Sequence, residues 1–186
     1  GLHAVNKAKL SGDEAVLVLG CGPVGLAVIT ALKQRGISPV IAADYSPRRR
    51  SLATGQGADA AVDPKQTSPY TYPELRRPDN VVIFECIGVP GIIDQVFLSA
   101  PRNARIVVVG VCLEMDHSRP LIAINKELSL QYVLGYTLVE FAESVEHAGE
   151  LLRFVRLGAD GVDARRAVFA QKRVQCPVFK EILLSR

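Results

Sequence analysis

Three glycines stand at a spacing that suits phosphate binding by the main chain. They are Gly20, Gly22 and Gly25, between an apolar run at 15–19 and a helical pattern that begins at Pro23. Gly20 permits the turn, Gly22 leaves room for a pyrophosphate, and Gly25 lets the helix lie close to the strand. Free amides and the positive end of the helix dipole then face the ligand. The order strand, glycine turn and helix therefore predicts a dinucleotide-binding site.

An acid follows where such a site recognises a ribose. Asp44 ends the next apolar run, 40–43, and lies 24 positions after Gly20. A carboxylate at about this spacing accepts hydrogen bonds from the adenosine ribose hydroxyls. Pro23 suits the first helical turn, because its missing N–H would have no partner there. We therefore expect Asp44 and the glycine turn to hold one cofactor.

This stretch has two other interpretations. The uncharged segment 15–32 is long enough for a membrane span. The glycines and Pro23 in its middle would break a spanning helix, so no membrane association is expected. Alternatively, the glycines serve packing alone, in the same kind of fold without a ligand. Asp44 favours the cofactor site over this alternative.

Apolar runs and helical patterns alternate along the chain. Runs that predict strands lie at 15–19, 39–43, 60–62, 81–85, 105–109 and 128–134. Near-continuous Val, Ile and Leu runs that alternate with helices are typical of a parallel sheet covered on both faces. We predict an α/β Rossmann fold, a doubly wound six-stranded parallel sheet with helices on both faces. Ligands bind outside the carboxyl ends of the strands in this fold.

Two helices carry capping signals. Ser46 before Pro47 predicts an N-cap followed by a proline at the first helical position. Thr137 and Glu140 fit a capping box that starts the longest predicted helix, which runs to about residue 157. Its apolar spacing is most simply a core-packing stripe.

Two stretches are expected to be mostly loop. Segment 63–80 holds four prolines, with at best one helical turn near 74–77. A polar loop at 113–120 leads through 121–125 to the last strand, and no helix is assigned there. Three side chains of this loop could be considered a metal cluster: Glu114, Asp116 and His117. Polar residues are ordinary in loops, so no metal ligand is assigned.

Composition narrows the functional class. The 186 residues, 48% of them hydrophobic, suit one α/β domain with a full core. A net charge of +3, without aromatic interleaving or a DNA-binding motif, does not favour nucleic acid binding. The four cysteines form no CxxC pair and no secretory signal is visible, which favours reduced thiols in a cytoplasmic protein.

Several motifs occur in an order more specific than the glycine turn alone. They are GLHAV, GCGPVG, DYSPRR, ECIG, VVGV and NKELSLQYVLGY. With them the chain resembles the medium-chain dehydrogenase/reductase superfamily, and within it the zinc-containing alcohol dehydrogenases. The resemblance covers about residues 1–157. It implies the NAD-binding half of an enzyme that passes hydride between an alcohol and NAD.

The resemblance also implies which residues contact the cofactor. The pyrophosphate would be held by Gly20, Gly22, Pro23, Val24 and Gly25. Asp44 would bind the adenosine ribose, and Arg49 falls where the family often has a basic residue beside it; a solvated arginine is the alternative. The turns after two later strands would contact the ribose and nicotinamide sides, through Cys86, Ile87, Val109, Gly110 and Val111. Residues 134–136 are expected near the nicotinamide.

The catalytic groups are expected elsewhere. In the family, the catalytic zinc ligands, the proton-relay hydroxyl and the structural-zinc cysteines lie on a preceding domain that this sequence does not include. We assign no catalytic residue here and expect this chain alone to be inactive. A start at Gly1 inside a helical pattern suggests that an upstream part was removed. Residues 158–186 are assigned to a second segment, divergent or a remnant of the return to the catalytic domain.

Two further functions compete with the NAD-binding half. One is a non-catalytic nucleotide-binding or dimerisation module. Strand 128–134 should lie at the sheet edge, where the family pairs across a two-fold axis, so a homodimer is expected. The other is an NADPH-dependent quinone-reductase-like relative. Asp44 argues against it, because its carboxylate would face the 2′-phosphate, although an arginine of 48–50 could offset this charge if it swung inward.

Overall fold

The structure is a computed structural model that describes residues 1–76 and 80–146. These residues fall into two compact units, one over Gly1–Gly135 and one that begins at Tyr136. The predicted helix beyond 146 and the predicted segment 158–186 lie outside the described residues.

The first unit is built on one parallel sheet. Its strands are β1 (Ala15–Leu19), β2 (Val40–Ala43), β3 (Ala60–Val62), β4 (Val81–Glu85), β5 (Arg105–Val108) and β6 (Ser129–Tyr132). They lie in the order β3-β2-β1-β4-β5-β6, and every neighbouring pair is parallel. The helices are α1 (Leu2–Ala8), α2 (Pro23–Gln34), α3 (Pro47–Gly55), α4 (Ile92–Ser99) and α5 (Pro120–Lys126). This order confirms the predicted Rossmann sheet.

The central strands are buried on both faces. Every residue of β1, β2 and β4 is buried, as continuous apolar runs predict. Leu17 and Ile83 share one core cluster with Phe97 of α4. Val16 and Val18 point to the opposite face, because side chains alternate along a strand, and both are fully buried as well. Helices therefore cover both faces of the sheet, as expected.

The predicted capping signals are confirmed. The Ser46 hydroxyl accepts a hydrogen bond from the Arg49 amide at 3.4 Å at the start of α3. In the second unit, the Thr137 amide donates to Glu140 Oε2 at 2.7 Å, and the Glu140 amide donates to Thr137 Oγ1 at 3.2 Å. Residues 138–146 are helical after this capping box.

Several element bounds differ from the expectation. The strand predicted at 128–134 is limited to β6, and α5 occupies the stretch where no helix was assigned. α5 has seven residues, of which Ile122 and Ala123 pack partly buried against the core, and so short a segment does not show a helical repeat of apolar positions. The proline-rich loop contains two short 3₁₀ turns, Pro69–Thr71 and Pro73–Arg76, in place of one helical turn.

The candidate membrane segment 15–32 divides into β1 and part of α2. Within the described ranges, no helix combines the length and the apolar character that a membrane crossing requires.

Candidate cofactor-binding site

A pocket of about 590 Å³ opens at the carboxyl ends of β1, β2 and β4. The strand order reverses between β1 and β4, which is where open α/β sheets bind ligands. The predicted contact residues that line it are Gly20, Gly22, Asp44, Arg49, Cys86 and Ile87. The structure thus brings together residues from three separate parts of the sequence.

Two glycines of the turn are required by the protein itself. Gly20 has a φ of +86°, which strongly favours glycine, and its amide donates to the Ala43 carbonyl at 2.8 Å. A Cβ at Gly25 would lie 1.9 Å from the Gly20 carbonyl oxygen. The start of α2 therefore packs directly against the turn, as the third glycine of the motif predicts.

Gly22 differs from its two neighbours in the motif. It is the N-cap of α2 in an extended conformation, and a Cβ placed there would meet no atom within 4 Å. Nothing in the described protein demands a glycine at this position. The space in front of it adjoins the first turn of α2, whose amides have no partner within the helix. A side chain at residue 22 would enter this space, and free amides at a helix start are typical partners of anionic groups.

Asp44 joins the glycine turn to the turn that follows β2. Its carboxylate is 8% exposed, accepting at Oδ2 from the Cys21 amide and at Oδ1 from the Ser46 amide, both at 2.8 Å. Each carboxylate oxygen has a second lone pair, so the side chain can also accept from ligand hydroxyls. The predicted ribose-binding acid is therefore already oriented by the turn beside the pyrophosphate space.

The two arginines that follow have different environments. Arg49 lies 3.7 Å from Asp44 Oδ2, and its side chain is 56% exposed at the pocket. Arg50 donates to the Asp44 and Tyr45 carbonyls at 2.8 Å and lies 3.2 Å from the Asp63 carboxylate. Arg50 is therefore part of the folded framework, whereas Arg49 is available to a ligand.

The loop after β3 forms a wall that the sequence did not predict. It contributes Pro64, Ser68, Pro69 and Tyr70, opposite the α4 residues Ile92, Gln95, Val96 and Ser99. Burial raises the pKa of the Tyr70 phenol, so this side chain stays protonated at neutral pH. The prolines of this loop predicted irregular structure but did not indicate which surface it would cover.

The turns after β4 and β5 meet at two glycines. Gly88 has a φ of +69°, and a Cβ on Gly110 would lie 2.3 Å from the Gly88 nitrogen. Ile87 reaches back to the first turn, within 2.9 Å of a Cβ placed on Gly20. The ECIG and VVGV motifs are therefore in direct contact with each other, and the first of them also contacts the glycine turn.

Glu85 is a site residue that the sequence reasoning missed. It is 1% exposed and ends β4, directly before Cys86. Its Oε1 accepts from the Ile87 and Gly88 amides at 2.6 and 2.8 Å. The available signal was a charged residue at the end of a fully apolar strand, a position where an unpaired charge is rare.

Some predicted contacts do not line the pocket. They are Pro23, Val24 and Gly25 at the start of α2, and Val109, Gly110 and Val111 after β5. Val24 and Val111 are exposed, and Leu134 beyond β6 is also exposed. The cofactor contacts assigned to these residues remain predictions.

The thiols of the site are neutral. Burial, with a smaller contribution from the Asp44 charge, raises the pKa of Cys21 to about 12. Burial and the adjacent Glu85 carboxylate likewise raise the pKa of Cys86. Neither thiol is poised to act as a thiolate nucleophile or ligand at neutral pH.

The loop considered for a metal is used differently. Asp116 accepts from the Gly91 amide at 2.6 Å, which holds the loop against the start of α4. In the described part of the chain, no three His, Cys, Asp or Glu side chains are grouped so that they could hold a metal ion.

Sequence comparisons agree with this geometry. A family model described as zinc-binding dehydrogenase matches residues 23–152. The (R,R)-butanediol dehydrogenase of Bacillus subtilis (strain 168) is 33% identical over 137 residues, covering 73% of this chain and 39% of that protein. The L-idonate 5-dehydrogenase (NAD(P)(+)) of Escherichia coli (strain K12) is 29% identical over 136 residues, with the same two coverages. The chain spans 39% of the length of these curated relatives.

Solved structures give the same result. L-idonate 5-dehydrogenase from Escherichia coli K-12 matches with a TM-score of 0.68 and 29% identity, over 78% of this chain and 41% of that chain. A short chain alcohol dehydrogenase from Escherichia coli CFT073, complexed with the cofactor NADH, matches with a TM-score of 0.62 and 28% identity. That match covers 70% of this chain and 39% of the other.

Proposed function

This chain belongs to the zinc-binding dehydrogenase family, and from this premise we propose that it is the NAD-binding half of an alcohol or polyol dehydrogenase. One observation carries the proposal. The buried Asp44 carboxylate is hydrogen bonded to the glycine turn, beside a space at Gly22 that no atom of the described residues fills. A ribose acceptor and a phosphate space are thus combined in one pocket.

The binding mode follows from the main chain. A pyrophosphate in front of Gly22 would accept from the amides of the first turn of α2, with the helix dipole favouring its negative charge. The adenosine ribose hydroxyls would donate to Asp44. The turn at Cys86 and Ile87 and the residues 109–111 would support the nicotinamide side of the cofactor.

The choice of NAD over NADP rests on charge. A 2′-phosphate would lie against the Asp44 carboxylate, and juxtaposed like charges cost several kcal/mol. Arg50 is committed to two carbonyls and to Asp63, so it is not free to offset that charge. Arg49 is the nearby arginine with the exposure to do so.

When bound, the cofactor would supply the hydride acceptor, its nicotinamide ring. The residues of this chain bind and orient that cofactor. A catalytic zinc would lower the pKa of the bound alcohol, and we propose that its ligands belong to a domain outside this sequence. No step of proton transfer is assigned to a residue of this chain.

A matched pair of glycine variants tests the nucleotide site. Gly22→Ala adds a methyl group in the proposed phosphate space, and we expect NAD affinity to fall at least about tenfold, with little change in stability. Gly55→Ala is the control, because a Cβ there also meets no atom within 4 Å but lies away from the pocket. Equal NAD affinity in the two variants, measured by calorimetry, would refute the proposed phosphate position.

Cofactor preference is tested by titrating both cofactors. The wild type should bind NAD at least about tenfold more tightly than NADP, and Asp44→Ala should reduce that difference. Tighter binding of NADP to the wild type would reject the NAD assignment. It would favour the quinone-reductase-like alternative instead.

We also propose that a second copy of this chain pairs with the edge strand β6. β6 is the last strand in the sheet order, and Tyr132 on it is exposed. An edge strand presents unpaired main-chain groups, which favour pairing with another chain. Sedimentation that shows only monomer at concentrations up to about 100 μM, well above typical dimer dissociation constants, would remove this proposal.

A further inference from the structure

Glu85 is a buried acid that does not itself line the pocket described above. It is 1% exposed at the carboxyl end of β4. Within the described residues its carboxylate is held by main-chain amides rather than by a cationic side chain. Burying a charged side chain without a cation costs free energy. A glutamate at this position therefore suggests a specific role.

Two turns converge on this one residue. The side-chain Oε1 accepts from the Ile87 and Gly88 amides, which fixes the turn after β4. The main-chain carbonyl of Glu85 accepts from the Val109 and Gly110 amides, both at 2.8 Å, which fixes the turn after β5. Glu85 therefore connects the two turns, one through its side-chain carboxylate and the other through its main-chain carbonyl.

The contact between the turns leaves little freedom. A Cβ on Gly88 would lie 2.5 Å from the Val111 nitrogen, and one on Gly110 would lie 2.8 Å from Glu85 Oε2. If the Glu85 side chain releases the Gly88 amide, Gly88 can move and Gly110 must move with it. The second turn is thereby sensitive to a side chain that bonds only to the first.

We propose that Glu85 is a positioning residue that holds the turns 86–88 and 109–111 as one rigid support for the nicotinamide half of the cofactor. This inference rests on the proposed NAD site, because it assigns a role within that site. It separates the pocket into two parts. Asp44 and the glycine turn recognise the adenosine and pyrophosphate, and Glu85 aligns the reactive end.

The test compares NAD with AMP, which lacks the nicotinamide half, on the full chain. In Glu85→Gln we expect the dissociation constant for NAD to rise about tenfold, because two charge-assisted hydrogen bonds become neutral ones. AMP affinity should stay within about twofold, since the proposed ribose acceptor Asp44 is oriented by the Cys21 and Ser46 amides and not by Glu85. Glu14→Gln is the matched control: Glu14 is equally buried, accepts from two amides, and lies before β1 at the other end of the sheet.

Three outcomes would overturn the inference. The first is an equal loss of NAD and AMP affinity in Glu85→Gln, which indicates general disruption. The second is unchanged NAD affinity. The third is a fall in the ratio of NAD affinity to AMP affinity that is as large in Glu14→Gln as in Glu85→Gln.

Amide hydrogen exchange gives a readout that does not depend on the cofactor. In Glu85→Gln, protection should fall at Ile87 and Gly88 and also at Val109 and Gly110, whose bonds the substitution does not touch directly. Unchanged protection at the second pair would disprove the coupling. If the wild type binds neither NAD nor AMP, the proposed function fails, while the exchange experiment still decides the coupling. Should Glu85→Gln not fold, Glu85→Asp keeps the charge but shortens the reach, and the same losses are expected.

Discussion

Two almost fully buried glutamates lie at opposite ends of the sheet, and their carboxylates have different partners. Glu14, ahead of β1, and Glu85, at the end of β4, are both 1% exposed. Glu14 accepts from the Ser11 and Gly12 amides at 2.9 Å and forms an ion pair with Arg105. Glu85 is held by amides and, in the described residues, by no cation.

This difference separates a structural end from a binding end. Arg105 also donates to the Ala8 and Lys9 carbonyls, so the ion pair ties α1 to the starts of β1 and β5. Both charges of this ion pair are compensated within the protein. At the carboxyl end the polar groups are aimed at turns that border an open pocket, where a ligand can complete their environment. Variants at the first end should change stability, and variants at the second should change binding.

The largest expected effect is at the structural end. Arg105→Met leaves the Glu14 charge buried without its cation and removes the ties to α1. Breaking such a pair costs about 3 kcal/mol of unfolding free energy. Urea unfolding measures the loss, and NAD affinity should be unchanged. A cost below about 1 kcal/mol, or a shift in NAD affinity, would contradict the division between the two ends.

The next effect lies at the binding end and should change both properties. Gly25→Ala places a methyl carbon 1.9 Å from the Gly20 carbonyl oxygen, so the start of α2 must move away from the turn. Overpacking of this kind costs about 2 kcal/mol. NAD binding should be lost in calorimetry, because the helix start carries the phosphate amides. Retained NAD affinity together with retained stability would show that the turn can relax freely.

The residues that could be predicted are those whose role depends on local spacing. The glycine turn, Asp44 and the Ser46 cap each follow from neighbours within one strand–turn–helix unit, and the structure has all three in place. Arg105 pairs with Glu14 from 91 positions away, and no local pattern indicates that contact. A contact between residues so far apart in the sequence can be identified only once the fold is known.

Glu85 and α5 were missed for other physical reasons. Glu85 acts through the main-chain amides of the turn that follows it, and amide direction is not encoded by residue type. α5 has only seven residues, about two helical turns, which is too short for a repeat of apolar positions to be recognised in the sequence. The wall at Ser68 and Tyr70 depends on how a proline-rich loop folds back, which composition alone does not determine.

A smaller effect is a pH dependence of stability at the structural end. Burial raises the pKa of Glu14, but hydrogen bonds from the Ser11 and Gly12 amides and from Arg105 outweigh it, so its pKa lies below the ordinary 4.5. Its stabilisation is therefore complete above about pH 5 and is lost as the pH falls through the lowered pKa. The difference in unfolding free energy between wild type and Glu14→Gln should become smaller as the pH falls from about 6 to about 3. A difference that grows on acidification would reverse the assigned sign.

The smallest effect distinguishes two adjacent arginines at the binding end. Arg49→Gln removes an exposed ion pair with Asp44, so stability should stay within about 0.5 kcal/mol. Arg50→Gln is the matched variant, and it should cost about 1–2 kcal/mol because Arg50 bonds two carbonyls and an acid in the framework. NADP affinity should fall about threefold more than NAD affinity in Arg49→Gln, since Arg49 lines the pocket and is exposed enough to meet a 2′-phosphate. The contrary result is a fall in NADP affinity in Arg50→Gln only, once the lower stability of that variant is corrected for. That result would mean that Arg50 leaves its hydrogen bonds in the framework when NADP binds. The binding end would then rearrange around its ligand while the Glu14 end stays fixed.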